Sequence, residues 1–275
     1  MTSTELRHIW LCADDYGMSP AVSGAIRDLI ARRRINATSV MVTAPTFSHA
    51  EAAALRAVAG DHAAIGLHVT LTAPFPPHSH GFEPLRRGAF LPLAAMARRA
   101  LSRSLQAPLL DAEIAGQFAA FHAAFGREPD YVDGHQHIHV FPQISEALLR
   151  VAQHAAPHAW FRQCGRAVRT NLDPKGHILD ALSRRFRRLA EQRGLRTNPA
   201  FAGTYAFRAR ADYTRLFPRF LDGLSEGSVV MCHPGKVDAE LTRLDPVTDL
   251  REREYAFFLG EAFPKLLAER GLALV

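Results

Sequence analysis

Ile9-Trp10-Leu11-Cys12-Ala13-Asp14-Asp15-Tyr16-Gly17-Met18-Ser19-Pro20 contains the unit from which the fold is built. Residues 9–13 form an unbroken apolar run, as expected of a strand buried on both faces of a parallel sheet. Ser19-Pro20 reads as an N-cap followed by proline in the first turn, where the missing N–H costs nothing, and it opens a helix through about Arg33. The same order recurs along the chain. Strand-like segments at 9–15, 39–44, 65–71, 131–141, 160–164, 204–207, 229–233 and 272–275 are separated by helix-like runs. Asp111 is read as the cap of a helix that Gly126 closes, and a helix over 178–193 ends at Gly194. Pro218 and Pro264 fall inside helical patterns and should kink or split them. Strand then helix, repeated, predicts an α/β fold with a parallel sheet, open or closed into a barrel.

A chain of 275 residues, 48% hydrophobic, can bury one large core, so 1–275 reads as a single domain. The interruption is residues 73–110, where Pro74, Pro76, Pro77, Gly81, Pro84, Gly88 and Pro92 mark an insertion, read as a functional excursion over one face or a mobile segment. No apolar run is long enough to cross a bilayer, and the first residues lack the order of a signal peptide, so the expected location is cytoplasmic without stable membrane insertion. Cys12, Cys164 and Cys232 are an odd count without a C-x-x-C pair, which argues for buried thiols rather than disulfides or a thiolate zinc site. The net charge of +6 permits an acidic partner, but Arg184, Arg185, Arg187 and Arg188 lie in a helical pattern and read as a solvated face. No nucleic-acid motif accompanies them, so no nucleic-acid partner is expected.

The chemistry-bearing residues lie near strand ends, where ligand sites of parallel α/β architectures gather. Carboxylates such as Asp14 and Asp15 are costly there unless paired or metal-bound, and Gly17 permits a sharp turn. Neighbours on a strand face opposite ways, so both reach one ligand only if the strand breaks; otherwise the pair is an Asp-rich turn. His68 alone reads as a satisfied buried histidine, but Thr70 and Thr72 share its face and make that side polar where a parallel core favours aliphatics. In Asp133-Gly134-His135-Gln136-His137-Ile138-His139, alternation along a strand puts Asp133, His135, His137 and His139 on one face. A His-x-His pair can present two imidazoles to one metal while Asp133 fixes a ring's tautomer; the rival reading is a solvated histidine-rich edge. His233, before Pro234-Gly235, caps a turn or donates a proton to a leaving group. Arg162 orients a carboxylate, binds substrate or makes a surface ion pair.

Four motifs in this order resemble those of the YdjC-like carbohydrate deacetylases, the family that includes chitooligosaccharide deacetylase and the hopanoid-associated deacetylases. They are Ala13-Asp14-Asp15-Tyr16-Gly17, Gly66-Leu67-His68-Val69-Thr70-Leu71-Thr72, Asp133-Gly134-His135-Gln136-His137-Ile138-His139-Val140-Phe141-Pro142 and Met231-Cys232-His233-Pro234-Gly235, and they span nearly the whole chain. The resemblance implies a distorted (β/α) barrel of the glycoside hydrolase/deacetylase type, one divalent metal ion, and removal of the acetyl group from an N-acetylated sugar. By position it makes Asp15, His68 and His135 the metal ligands, Asp14 the general base and His233 the general acid. His137 and His139 match its histidine-rich segment, with a role behind the ligands or on the substrate. One Asp with two His suits zinc, and the resemblance keeps magnesium beside it.

Two other classes fit part of the pattern. A phosphoesterase on a related barrel would use the surplus histidines for a second metal about 3.5–4 Å from the first. A non-catalytic sugar- or metal-binding protein would have no need of a carboxylate beside the ligand Asp15. A homodimer is compatible with the sequence, which does not specify it.

Overall fold

The computed structural model describes residues 6–168, 174–206 and 211–275. Its N-terminal half contains β1 (Arg7–Tyr16), α1 (Pro20–Ala31), β2 (Ala37–Val40), α2 (His49–Ala59), β3 (Ala64–Val69), β4 (Leu85–Arg86), β5 (Ala89–Phe90), α3 (Leu93–Leu101), α4 (Ala107–Phe125) and β6 (Tyr131–Gly134). A 3-10 turn over His135–Val140 then leads into α5 (Ile144–Ala155), β7 (Trp160–Phe161), α6 (Pro174–Glu191), β8 (Arg196–Thr197) and β9 (Phe201–Ala202). The chain closes with α7 (Tyr213–Phe220), β10 (Val229–Cys232), α8 (Ala239–Leu244), α9 (Asp249–Leu259), α10 (Ala262–Glu269) and β11 (Leu272–Leu274).

The large sheet runs β8-β7-β6-β3-β2-β1-β10-β9, with β11 beside the start of β1, and every pairing in it is parallel. It curls into a distorted barrel. No ladder joins β9 back to β8; a single bridge between Arg166 and Phe201 spans the seam, where Phe201 N–H donates to the Gly165 carbonyl at 3.0 Å.

Local chemistry explains the principal elements. The Ser19 side chain accepts from Val22 N–H at the start of α1, and Val22, Ala25, Ile26, Leu29 and Ile30 form its buried stripe. Gly126 closes α4 in the left-handed region at φ 69°. Asp111, expected to cap that helix, lies inside it, because Pro108 permits a start four residues earlier. Pro264 falls in the first turn of α10, after the chain has broken at Gly260, while Pro218 is accommodated within α7. The strand expected at 204–207 is displaced to Phe201–Ala202, and Phe207 lies outside the described residues.

The barrel interior is layered. At its lower mouth Trp160 stacks on Tyr131 at 4.4 Å and lies 6.0 Å from Trp10. Above them the Tyr131 hydroxyl meets Cys12 Sγ at 2.8 Å. A Cβ at Gly66 would come within 2.5 Å of the Tyr131 ring, so only glycine allows this ring across β3. Cys12, Cys164 and Cys232 are free and buried.

The 73–110 segment forms the β4–β5 hairpin and α3, and buries Phe75, Phe82 and Phe90 in the main core. Glu113 of α4 anchors it, accepting from His78 N–H, Ser79 N–H, the Ser79 hydroxyl and the Gln117 amide. Among the described residues no helix is long and apolar enough to cross a membrane.

Candidate metal centre and active-site cavity

Asp14 and Asp15 stand near the end of β1, where the register with β2 shifts between Ala13 and Tyr16 and Asp15 takes φ 71°. This break turns two consecutive side chains toward the same end of the barrel. His68 stands near the end of β3, His135 follows β6, and His233 follows β10, so all five lie at the carboxyl ends of the strands.

Asp15, His68 and His135 converge. Asp15 Oδ1 lies 3.1 Å from His135 Nδ1 and 3.4 Å from His68 Nε2, and the three ligand atoms are mutually within 4.8 Å. Four ligands about 2.1 Å from a zinc-sized ion stand about 3.4 Å apart, so the spacing fits a divalent cation. The other nitrogen of His68, Nδ1, faces Asp133 Oδ1 at 2.6 Å and the Ser39 hydroxyl at 3.1 Å, an arrangement that fixes the ring and points Nε2 toward Asp15 Oδ1.

Asp14 sits beside this group in a bidentate pair with Arg162, both N–H···O distances being 2.7 Å. Burial alone would raise its pKa; the Arg162 guanidinium and the His68 and His233 rings together outweigh burial and hold the carboxyl well below the usual range. Arg162 is fully buried and also pairs with Asp133 Oδ2 at 3.0 Å, so it braces carboxylates and is no surface ion pair. It also fills the other acidic cluster, Cys12, Asp14 and Asp133, which leaves that group unsuited to a second cation.

The expected single face of histidines does not form. The strand stops at Gly134, and Gln136 and His137 adopt φ 54° and 57°, which rotates the following rings out of alternation. His135 therefore joins Asp15, whereas His137 turns its Nδ1 toward Cys164 Sγ at 3.6 Å and its edge to Phe201. His139 points away into the core, with Nε2 2.7 Å from the Arg162 carbonyl; burial and the Arg162 charge push its pKa down to about 4.

Three further residues complete the site. Arg251 and Glu254 come from α9, and Asp245 from the turn before it. Arg251 Nη2 lies 2.6 Å from both Asp15 Oδ2 and Asp245 Oδ2. Glu254 accepts from His233 N–H and from the Tyr205 hydroxyl, both at 2.6 Å, and burial lifts its pKa to about 7. Arg251-Glu252-Arg253-Glu254 looks like a solvated charge run. The missed signal is that Leu250, Arg251, Glu254 and Phe258 share one helical stripe, which places two charges on an apolar face.

Asp14, Asp15, His135, His137, His233, Asp245 and Arg251 line a cavity of about 570 Å³, with Leu93, Phe141, Leu179, Leu182, Met231 and Val247 as its apolar wall. Phe75 of the 73–110 segment packs edge-on against the His135 ring at 5.5 Å. A cavity of about 830 Å³ opens at the opposite mouth, beside Trp10 and Trp160, far along the strands from the carboxylate–histidine group.

The electrostatics ask for positive charge. Four carboxylates, Asp14, Asp15, Asp133 and Asp245, meet two guanidiniums, Arg162 and Arg251, which leaves two negative charges when the His68 ring is neutral, the complement of a divalent cation. Burial by itself lowers the His68 pKa, yet the Asp133 and Asp14 carboxylates outweigh it and hold His68 up at about 10.

The profile of the YdjC-like protein family matches residues 8–269. A chitooligosaccharide deacetylase of Serratia marcescens is 28% identical over 271 residues, covering 95% of this chain and 94% of its own. A carbohydrate deacetylase of Geobacillus stearothermophilus is 26% identical over 278 residues, covering 98% and 96%. A solved structure from Enterococcus faecalis V583, named as a proposed cellobiose-phosphate cleavage protein, superposes with a TM-score of 0.74 at 21% identity over 98% of this chain and 97% of its own, a likeness of fold.

Proposed function

Because the chain belongs to the YdjC-like protein family, we propose that it is a metal-dependent carbohydrate deacetylase that hydrolyses the N-acetyl group of an N-acetylated amino sugar or oligosaccharide and releases acetate. The observation that carries this reading is the convergence of Asp15, His68 and His135 beside the ionised Asp14, on a cavity of ligand size. The names of the Serratia and Geobacillus relatives supply the substrate class. Asp15, His68 and His135 would hold one divalent cation, zinc or magnesium, which supplies polarisation of the acetyl carbonyl and acidification of the attacking water.

The chain's own groups handle the protons. Asp14 takes the proton of the water that adds to the acetyl carbon. Arg162 donates to both of its oxygens, and Oδ1 also accepts from the Ser39 hydroxyl at 3.2 Å and the Cys12 thiol at 3.4 Å, so the remaining lone pair of Oδ2 is the one available for that water. When the C–N bond breaks, the amine nitrogen takes a proton from His233, which lines the cavity. Burial lowers the His233 pKa, so the ring is neutral at rest and receives, before the C–N bond breaks, the water-derived proton that Asp14 gives up; the facing Asp15 and Asp14 carboxylates favour that imidazolium. The Glu254 contact to its backbone N–H holds the His233 turn in place.

The test is to incubate the metal-loaded protein with a panel of N-acetylglucosamine-containing compounds and assay acetate, with metal content measured on the same sample. One ion per chain with acetate release is expected. Two ions with phosphate release from phosphate esters would overturn the reading in favour of a phosphoesterase.

The raised His68 pKa adds a second expectation. At pH 8 the metal-free ring carries a proton that a ligand nitrogen cannot keep, so loading the metal should expel about one proton per chain. Calorimetric titrations in buffers of different ionisation enthalpy read this number directly, and zero protons released would remove His68 from the ligand set.

A further inference from the structure

Asp15 divides its two oxygens between different partners. Oδ1 faces His135 and His68, while Oδ2 accepts a charge-assisted hydrogen bond from Arg251. We infer that Arg251, braced by Asp245, is a positioning residue that confines Asp15 to one-oxygen coordination and thereby sets which cations the site accepts. The inference rests on the reading that Asp15, His68 and His135 hold a cation.

Arg251 is 2% exposed and is fixed on several sides. Its Nε donates to the Val247 carbonyl at 3.2 Å, and Nη2 bridges Asp15 and Asp245 while touching Met18 Sδ at 3.6 Å. Its backbone carbonyl accepts from Gly235 N–H at 3.0 Å, which ties α9 to the turn after His233. A Cβ at Gly235 would stand 3.1 Å from Val22 Cγ2 and 3.4 Å from Arg251 Cβ, so this turn packs against α1 and α9. For Asp15 to chelate through both oxygens, the carboxylate would have to turn its Oδ2 toward the ion and strain or lengthen the 2.6 Å contact with this fixed guanidinium.

Cation chemistry gives the clamp a consequence. Zinc accepts imidazole nitrogens and a single carboxylate oxygen in a four-coordinate shell. Calcium takes six to eight oxygens, often through bidentate carboxylates. A clamp on Oδ2 therefore disfavours calcium far more than zinc. If Arg251 served only to neutralise Asp15, its loss would change the affinity for all divalent ions together; the ratio of zinc to calcium affinity separates the two roles.

The experiment titrates metal-free protein with zinc and with calcium, each in competition with a fluorescent chelator. It compares the unaltered chain, Arg251→Met, and the pair variant Arg251→Met/Asp245→Asn, which removes clamp and brace together so that position 245 keeps no unpaired carboxylate. The zinc-to-calcium affinity ratio should fall by about tenfold or more in both variants, the scale on which groups behind metal ligands act. A ratio within twofold of the unaltered chain in any folded variant would overturn the clamp while leaving the metal site standing. Failure of the unaltered chain to bind either ion would overturn the metal reading, and the clamp with it.

Discussion

Asp14→Asn is expected to keep one metal ion per chain and to lose acetate release by about 10²–10⁴-fold, the usual contribution of a positioned general base. Asparagine matches aspartate in shape but cannot take a proton. Its amide oxygen can accept from one Arg162 N–H, while its NH₂ confronts the other, so some stability is lost, on the order of 1–3 kcal/mol. Arg162 keeps Asp133 at 3.0 Å, which should preserve the fold. The kinetic signature is a fall in kcat with KM little changed, because the proton moves only as the water attacks. Turnover within tenfold of the unaltered chain, with the ion retained, would remove Asp14 as the base. His68→Ala and His135→Ala should behave differently, losing the ion together with the activity; full occupancy in either would reject the proposed ligand set.

The parts of the fold legible from the sequence are those governed by short-range rules. The apolar run after Ile9, the Ser19-Pro20 start of α1 and the Gly126 stop of α4 each report local conformational preference, and the strand-then-helix order follows from them. Asp14, Asp15, His68, His135 and His233 were recognisable because polar groups at the ends of buried strands need a reason to be there. The strand register past Gly134 was not legible. Alternation assumes extended backbone, and two consecutive non-glycine residues with positive φ, Gln136 and His137, are held there by tertiary packing that no local pattern announces. Arg251 stayed hidden for another reason: its partner Asp15 is 236 positions away, and a charge run on a helix looks the same whether it faces water or a buried carboxylate. Arg162 was singled out, but its burial was not foreseen, since only barrel closure brings β7 against Asp14 of β1.

That burial makes Arg162→Met the substitution with the largest expected effect on stability, a loss of about 3–5 kcal/mol, the range for removing one partner of a buried ion pair. Methionine can fill much of the space, including the position 5.5 Å from the Phe201 ring, so the effect should come from charge rather than from a cavity. With the guanidinium gone, Asp14 loses its principal counter-charge and Asp133 keeps only His68. The pH dependence gives the sign. In the unaltered chain Asp14 is held below its ordinary pKa, so its stabilising contribution is present at neutral pH and lost only as pH falls through and below about 4. In Arg162→Met, burial is opposed by the His68 and His233 rings alone, so the Asp14 pKa should rise, and where it passes the ordinary value the folded variant binds protons that its unfolded chain releases. The variant should therefore recover stability as pH drops from 8 to 5, while the unaltered chain gains nothing from Asp14 over that range. Urea unfolding of both proteins with a chelator present should show a wide gap at pH 8 and a narrower one at pH 5. Adding Asp14→Asn to Arg162→Met should restore part of the loss, because it removes one of the stranded charges. A gap below about 1 kcal/mol at pH 8, or one that widens on acidification, would mean that Arg162 is not the counter-charge that keeps Asp14 ionised.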